Sequence, residues 1–198
     1  MKYICEIEDD ISDKTIIILA GRDCTAKEML QAFQNLNYRK IAIQPVDEWY
    51  PIPNGIDDQQ AAVVGIKNQV SKLNYFVKQL EVLYSVKRNN IVLLGYSAGA
   101  VMALQLAVNS KEEFAAVICY KGAILNTESL PQANNFTKYI LMHSRNDSCF
   151  KWHERYLPMK KSLIEKNYNC DCLEWNDGEH AINSPDINII SALIQNIS

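Results

Sequence analysis

Six short apolar runs rich in β-branched residues punctuate the chain, and between them apolar positions recur at helical spacing. The runs are Thr15 to Ala20, Lys40 to Gln44, Asn90 to Leu94, Ala115 to Tyr120, Lys138 to His143 and Cys170 to Trp175. Most are continuously apolar rather than alternating. That is the pattern of strands covered on both faces, and so of a parallel sheet. The β-α-β-α order with right-handed crossovers predicts an α/β fold, a doubly wound and mostly parallel sheet of about six strands. Tyr3 to Ile7 is a candidate edge strand whose pairing the sequence leaves open.

The helices between these runs have readable ends. Thr25 followed by Glu28 is a capping box, and Met29, Leu30, Phe33 and Leu36 form one apolar face after it. A long helix is predicted from Gln60 to Val86, with Val63, Ile66, Val70, Leu73, Val77, Leu80 and Tyr84 three or four apart. Ser97 to Val108 is apolar nearly all round, which predicts a helix at the centre of the molecule. Near the end, Ser184 and Pro185 read as N-cap and first helical residue, with Ile187, Ile190, Leu193, Ile194 and Ile197 on the buried face. No linker or repeat interrupts this order. The expectation is one domain over residues 1–198, with too little chain between Tyr120 and Lys138 for a large lid.

Composition narrows the function. With 48% hydrophobic and 22% charged residues the chain can bury a sizeable core, which excludes disordered and fibrous classes. Twenty Lys and Arg against 23 Asp and Glu supply no general attraction for nucleic acid, so no nucleic-acid partner is expected. No run approaches a membrane span, and the opening MKYICEIEDD lacks a signal-peptide apolar core. The six cysteines contain no C-x-x-C, so free thiols, a cytoplasmic location and no bound metal are expected. Oligomeric state is open, a homodimer included.

Only 7 of 198 residues are glycine, about half the usual share, so each needs a local reason. Two of them frame Gly95-Tyr96-Ser97-Ala98-Gly99, a G-x-S-x-G directly after the run NIVLL and directly before the apolar helix. At this glycine and serine content the pattern is expected by chance on the order of 0.01 times per chain, before any strand–helix context is required. A serine on so tight a turn crowds the backbone, and the residues two before and two after it must lack side chains. Its hydroxyl then emerges at the carboxyl edge of the sheet beside a helix N-terminus, where the Ala98 amide can stabilise an oxyanion.

An alcohol nucleophile needs a base. Of three histidines, His143 ends a strand and His153 sits in the polar stretch KWHER. His180 lies in the loop after the last strand and is the candidate base. The orienting acid is expected after an intermediate strand, and Asp147, 50 residues after Ser97 and 33 before His180, completes the order Ser, Asp, His. Asp177 and Glu179 are too near His180 in sequence to face its ring easily.

These residues resemble the α/β-hydrolase superfamily, and within it the small phospholipase/carboxylesterase family that includes the acyl-protein thioesterases. The similarity runs through Leu19 to Thr25, Trp49-Tyr50-Pro51, Gly95 to Gly99, His143 to Asp147 and Gly178 to Ile182. It implies that the amide of Arg22 is a second oxyanion donor, that His143 is structural, and that Trp49 and Tyr50 are walls of the acyl or alcohol pocket; Tyr96 and Ile182 are further candidate substrate-binding residues. For Trp49 and Tyr50, packed loop anchors are an equal alternative. The chain departs from the family pattern at Ala20, Asp23, Ser144, Cys149 and Phe150. The expected activity is cofactor-free cleavage of a small or medium acyl ester or thioester through an acyl-enzyme. The alternatives are a binding module on a hydrolase scaffold, or a peptidase or C–C hydrolase with the same three residues.

Overall fold

The structure, a computed structural model, describes residues 2–10, 12, 14–51, 56–133, 136–176 and 178–197, without the side chains of residues 56–58. Gly55 and Asp177 lie outside the described residues.

Seven strands form one sheet: β1 (Tyr3–Glu8), β2 (Thr15–Leu19), β3 (Arg39–Pro45), β4 (Ile91–Tyr96), β5 (Ala116–Tyr120), β6 (Lys138–Ser144) and β7 (Asn169–Trp175). Their order across the sheet is β1-β3-β2-β4-β5-β6-β7. Only β1 runs antiparallel, pairing from Tyr3 opposite Pro45 to Glu8 opposite Lys40, so the candidate edge strand is real. The remaining ladders are parallel, as the continuous apolar runs require.

Both faces of the sheet are covered. Ile17, Leu19, Ile41, Ile43, Leu93, Val117 and Leu141 point into one apolar layer with α2 (Ile56–Tyr84), α3 (Ala98–Val108) and α4 (Leu157–Glu165). Their alternates Ile16, Ile18, Ala42, Val92, Leu94, Ile118 and Met142 pack on α1 (Ala26–Ala32) and α5 (Ser184–Gln195). The period-two alternation of a strand makes both sets apolar, and that is why the runs show no polar interruption. Of α3, only Gln105 escapes burial, in agreement with its central placement.

Helix ends follow local chemistry. Thr25 Oγ1 accepts from the Glu28 amide at 3.1 Å while Glu28 Oε2 accepts from the Thr25 amide at 2.7 Å, the reciprocal capping box. Past α1, the buried Lys40 ammonium donates to the carbonyls of Leu36 (2.7 Å) and Phe33 (3.3 Å) and pairs with Glu8 at 3.1 Å. For α5 the N-cap is Asn183 rather than Ser184, because the longer amide side chain reaches the Asp186 N–H at 2.8 Å. The sequence did not delimit α4. It is preceded by a π-helical turn, Trp152–Tyr156, and carries Pro158 in its first turn.

The two glycines of the elbow are sterically required. A Cβ on Gly99 would lie 2.1 Å from the Leu19 carbonyl oxygen, and one on Gly95 would lie 2.5 Å from Ala100 Cα. Both neighbours are backbone in the core and cannot swing aside. Gly99→Ala is therefore expected to destabilise the fold by about 3 kcal/mol or more, a fall in Tm of roughly 6–12 °C for a chain of this size. Thermal unfolding by circular dichroism measures it; an unchanged Tm would contradict this close approach.

Candidate active site

Four loops converge at the carboxyl edge of the sheet, following β2, β4, β6 and β7. At the end of β4 the chain turns through Ser97 with φ 54° and ψ −120°, a left-handed conformation that a residue with a side chain rarely adopts. The turn is tied down by the Ser97 amide donating to Tyr120 O at 3.0 Å and by Ser97 O accepting from the amides of Ala100 and Val101.

Ser97 Oγ lies 2.7 Å from His180 Nε2, and His180 Nδ1 lies 2.7 Å from Asp147 Oδ2. A carboxylate can only accept, so Nδ1 carries the proton and Nε2 is left to accept from the serine hydroxyl. The other Asp147 oxygen accepts from the amides of Cys149 (2.9 Å) and Phe150 (2.7 Å). Burial opposes the charge on Asp147, but the bonds from His180 and Phe150 outweigh it and hold the carboxyl below its ordinary value. Asp147 is thus ionised and fixed at neutral pH. Glu179, the described alternative acid, is exposed and contributes its backbone carbonyl instead.

His143 does not join this chain of bonds. It is buried, stacked on Tyr156 with centroids 4.4 Å apart, and its Nε2 lies 2.8 Å from Phe150 O. Burial lowers its pKa, so the ring is neutral and braces the segment whose amides hold Asp147. His153 is exposed.

The loop that carries His180 is clamped by side chains, and the central one was missed by sequence reasoning. Lys121, fully buried, directs its ammonium at Glu179 O (2.9 Å), Ala181 O (2.6 Å) and the Asp186 carboxylate (3.3 Å), one acceptor for each proton. Tyr96 donates to His180 O at 3.2 Å, and Tyr120 donates to Asp186 Oδ2. Ser144 Oγ donates to Gly178 O at 2.8 Å, and Asn146 Nδ2 donates to Asn176 O, which cross-braces the acid and base loops. The one sequence signal for Lys121 was a lysine at the end of the otherwise apolar run through Tyr120.

A cavity of about 350 Å³ opens onto Ser97 and His180, walled by Tyr50, Leu125, Phe150 and Cys149, with Arg22, Asp23 and Arg155 at its polar side. Arg22 and Ala98 both line it, and the backbone amide of neither has an acceptor among the described residues. Of the candidate substrate-binding residues, Tyr50 lines this cavity and three do not. Trp49 is buried behind the loop, its indole donating to Ala20 O at 2.8 Å. Tyr96 stacks on His180, centroids 5.5 Å apart, and Ile182, half-buried, packs against the apolar layer shared by α1 and α5. Nearness to a motif in sequence put them near the site without turning them into it. A larger depression, about 760 Å³, lies at the opposite edge of the sheet beside Asp9, Arg39 and Lys87, and no histidine lines it.

Asp147, Cys149 and His180 present ligand-type atoms within 4.8 Å of one another. Two of the three are already bonded to each other, so a cation there would break the Ser–His–Asp contact rather than assist it. All six cysteines are free thiols, and no described helix is long and apolar enough to cross a membrane.

A sequence model of the phospholipase/carboxylesterase family matches residues 26–198, most of the chain. Among solved structures, esterase PE8 superposes with a TM-score of 0.86 at 18% identity, with 100% of both chains covered. The Bacillus cereus carboxylesterase gives 0.81 at 16%, covering 100% of this chain and 95% of its own. The phospholipase/carboxylesterase from Dyadobacter fermentans DSM 18053 gives 0.79 at 17%, covering 98% and 96%. At these identities the structural likenesses establish the α/β-hydrolase fold. The family match extends the agreement to sequence, and the chain belongs to the phospholipase/carboxylesterase family of esterase-type hydrolases.

Proposed function

We propose that this protein is a serine esterase that cleaves small or medium acyl esters or thioesters through an acyl-enzyme. The observation that carries the reading is the unbroken bonded series from Ser97 Oγ through His180 to Asp147, opening on a cavity with two unsatisfied amides. Ser97 Oγ attacks the acyl carbon as its proton passes to His180 Nε2. The carbonyl oxygen becomes an oxyanion and takes hydrogen bonds from the amides of Ala98 and Arg22. Collapse of the tetrahedral intermediate breaks the bond to the alcohol or thiol, which leaves with the proton held by His180. Water then repeats the sequence in reverse sense and frees the acid. Asp147 keeps the imidazole in the productive tautomer and stabilises its charged form. The chemistry requires no metal or cofactor. The cavity volume is at the low end for ligand sites, which supports a short acyl group over a long chain.

A fluorophosphonate probe and a chain-length series of p-nitrophenyl esters, thioesters and anilides test this directly. The wild type is expected to be labelled and to turn over short esters, with both signals abolished in Ser97→Ala. A folded but unlabelled wild type would favour a binding module, and preference for anilides a peptidase. Asp147→Asn should fold normally yet lower kcat on the order of 10⁴-fold, because the amide favours the wrong imidazole tautomer; near-normal kcat would contradict its role. Lys121→Met removes the clamp on the His180 loop, and a displacement of even about 1 Å costs up to roughly 100-fold in rate. The expected result is a fall in kcat with KM little changed. A fall in Tm alone, with kcat intact, would reduce Lys121 to a packing residue.

A further inference from the structure

The two arginines at the cavity differ in how they are satisfied. Arg22 donates from Nη2 to Tyr50 O at 3.2 Å and pairs with Glu48 at 3.2 Å, so its charge is already compensated. Arg155 sits on the π-helical turn between β6 and α4 and lines the same cavity. Among the described residues its guanidinium has no hydrogen bond and no ion pair. The residue as a whole is half-buried.

Among the described residues no carboxylate pairs with Arg155. Neighbouring Glu154 is taken by Lys151 at 3.1 Å, and Arg145, over the Trp152 ring at 5.0 Å, adds positive potential to the same turn. Asp147 is engaged by His180 and two amides. Asp23, which lines the cavity, is exposed, so water screens it, and among the described residues it forms no ion pair with either arginine. A half-buried arginine with no protein partner, on the wall of the cavity that holds Ser97, leaves its charge for a ligand. A planar oxyanion group suits it, because the five donors of arginine match a carboxylate or phosphate in a two-point contact.

Building on the esterase reading, we infer that the substrate of Ser97 carries an anionic group, a carboxylate or phosphate, which Arg155 binds. The apolar walls Tyr50, Leu125 and Phe150 then enclose the short spacer between that anion and the scissile ester. Arg155 acts as a specificity determinant and takes no part in the bond changes.

Matched ester pairs that differ only in charge test the inference. The acyl-side pair is 4-nitrophenyl hydrogen adipate against its methyl ester. The alcohol-side pair is 4-acetoxybenzoate against its methyl ester. Rates are taken relative to spontaneous hydrolysis. In the wild type one anionic member is expected to exceed its neutral partner in kcat/KM by about 10-fold to 100-fold, and the pair that does so reports which side of the ester bears the anion. The ratio should fall toward one in Arg155→Gln, be partly kept in Arg155→Lys, and shrink with added salt in the wild type. A phosphorylated analogue of the preferred member distinguishes phosphate from carboxylate. Turnover of neutral esters with no anion preference in either pair, or a preference that survives Arg155→Gln, would overturn the inference and leave the esterase reading standing. Turnover of no ester at all would overturn both. Should Arg155→Gln fail to fold, the wild-type salt dependence decides, and a salt-independent ratio counts against the anion site.

Discussion

The close approach of α3 to the ends of β2 and β4 is the constraint from which the rest of the site follows. With Gly99 against the Leu19 carbonyl and Gly95 against Ala100, the chain between them has room only for a sharp turn, and Ser97 occupies it in a left-handed conformation. Such a conformation costs on the order of 1–3 kcal/mol and persists only where the surroundings over-determine it. Here a helix buried on nearly every side and the parallel ladders that join β4 to β2 on one flank and to β5 on the other supply that excess. The same approach puts the serine hydroxyl at the helix N-terminus, next to an unsatisfied amide, with the loops of β2, β6 and β7 within reach.

Those loops have no ladder of their own, so their shape rests on side chains that satisfy backbone carbonyls. The carbonyls of Gly178, Glu179, His180 and Ala181 are held by Ser144, Lys121, Tyr96 and again Lys121. Four consecutive acceptors are thereby fixed around one imidazole. Buried polar backbone needs partners in any fold. In this one the partners come from the ends of β4, β5 and β6, and His180 is positioned relative to the sheet rather than by its own segment. His143 does the same for Asp147 through Phe150. At Ser144 the departure from the family motif is used for this bracing.

What the sequence disclosed depended on how local the cause was. Strands β2 to β6 and helix α3 were legible because double-sided burial writes itself as unbroken apolar runs. Strand β1 was ambiguous because it is half-exposed at the edge, and its pairing depends on β3, about 40 residues away. Helix α4 escaped notice because Pro158 and a π-turn blur its period. Ser97, His180 and Asp147 could be singled out as candidates because few residue types can form such a bonded series and the chain has three histidines. Lys121 and Arg155 could not, since the first is defined by partners about 60 residues away and the second by having none for its side chain among the described residues. Trp49, Tyr96 and Ile182 show the converse. They flank motifs in sequence, yet their side chains turn inward to hold the site together.

The central claim, that the strained serine is the nucleophile, is tested most directly by trapping the covalent intermediate. Rapid acid quench of the enzyme with p-nitrophenyl acetate, followed by peptide mass spectrometry, should find one acetyl group, carried by Ser97, accumulating with the burst of nitrophenol. Acetyl on Cys149 or another side chain, or full ester turnover with no acyl-protein at any time, would contradict it.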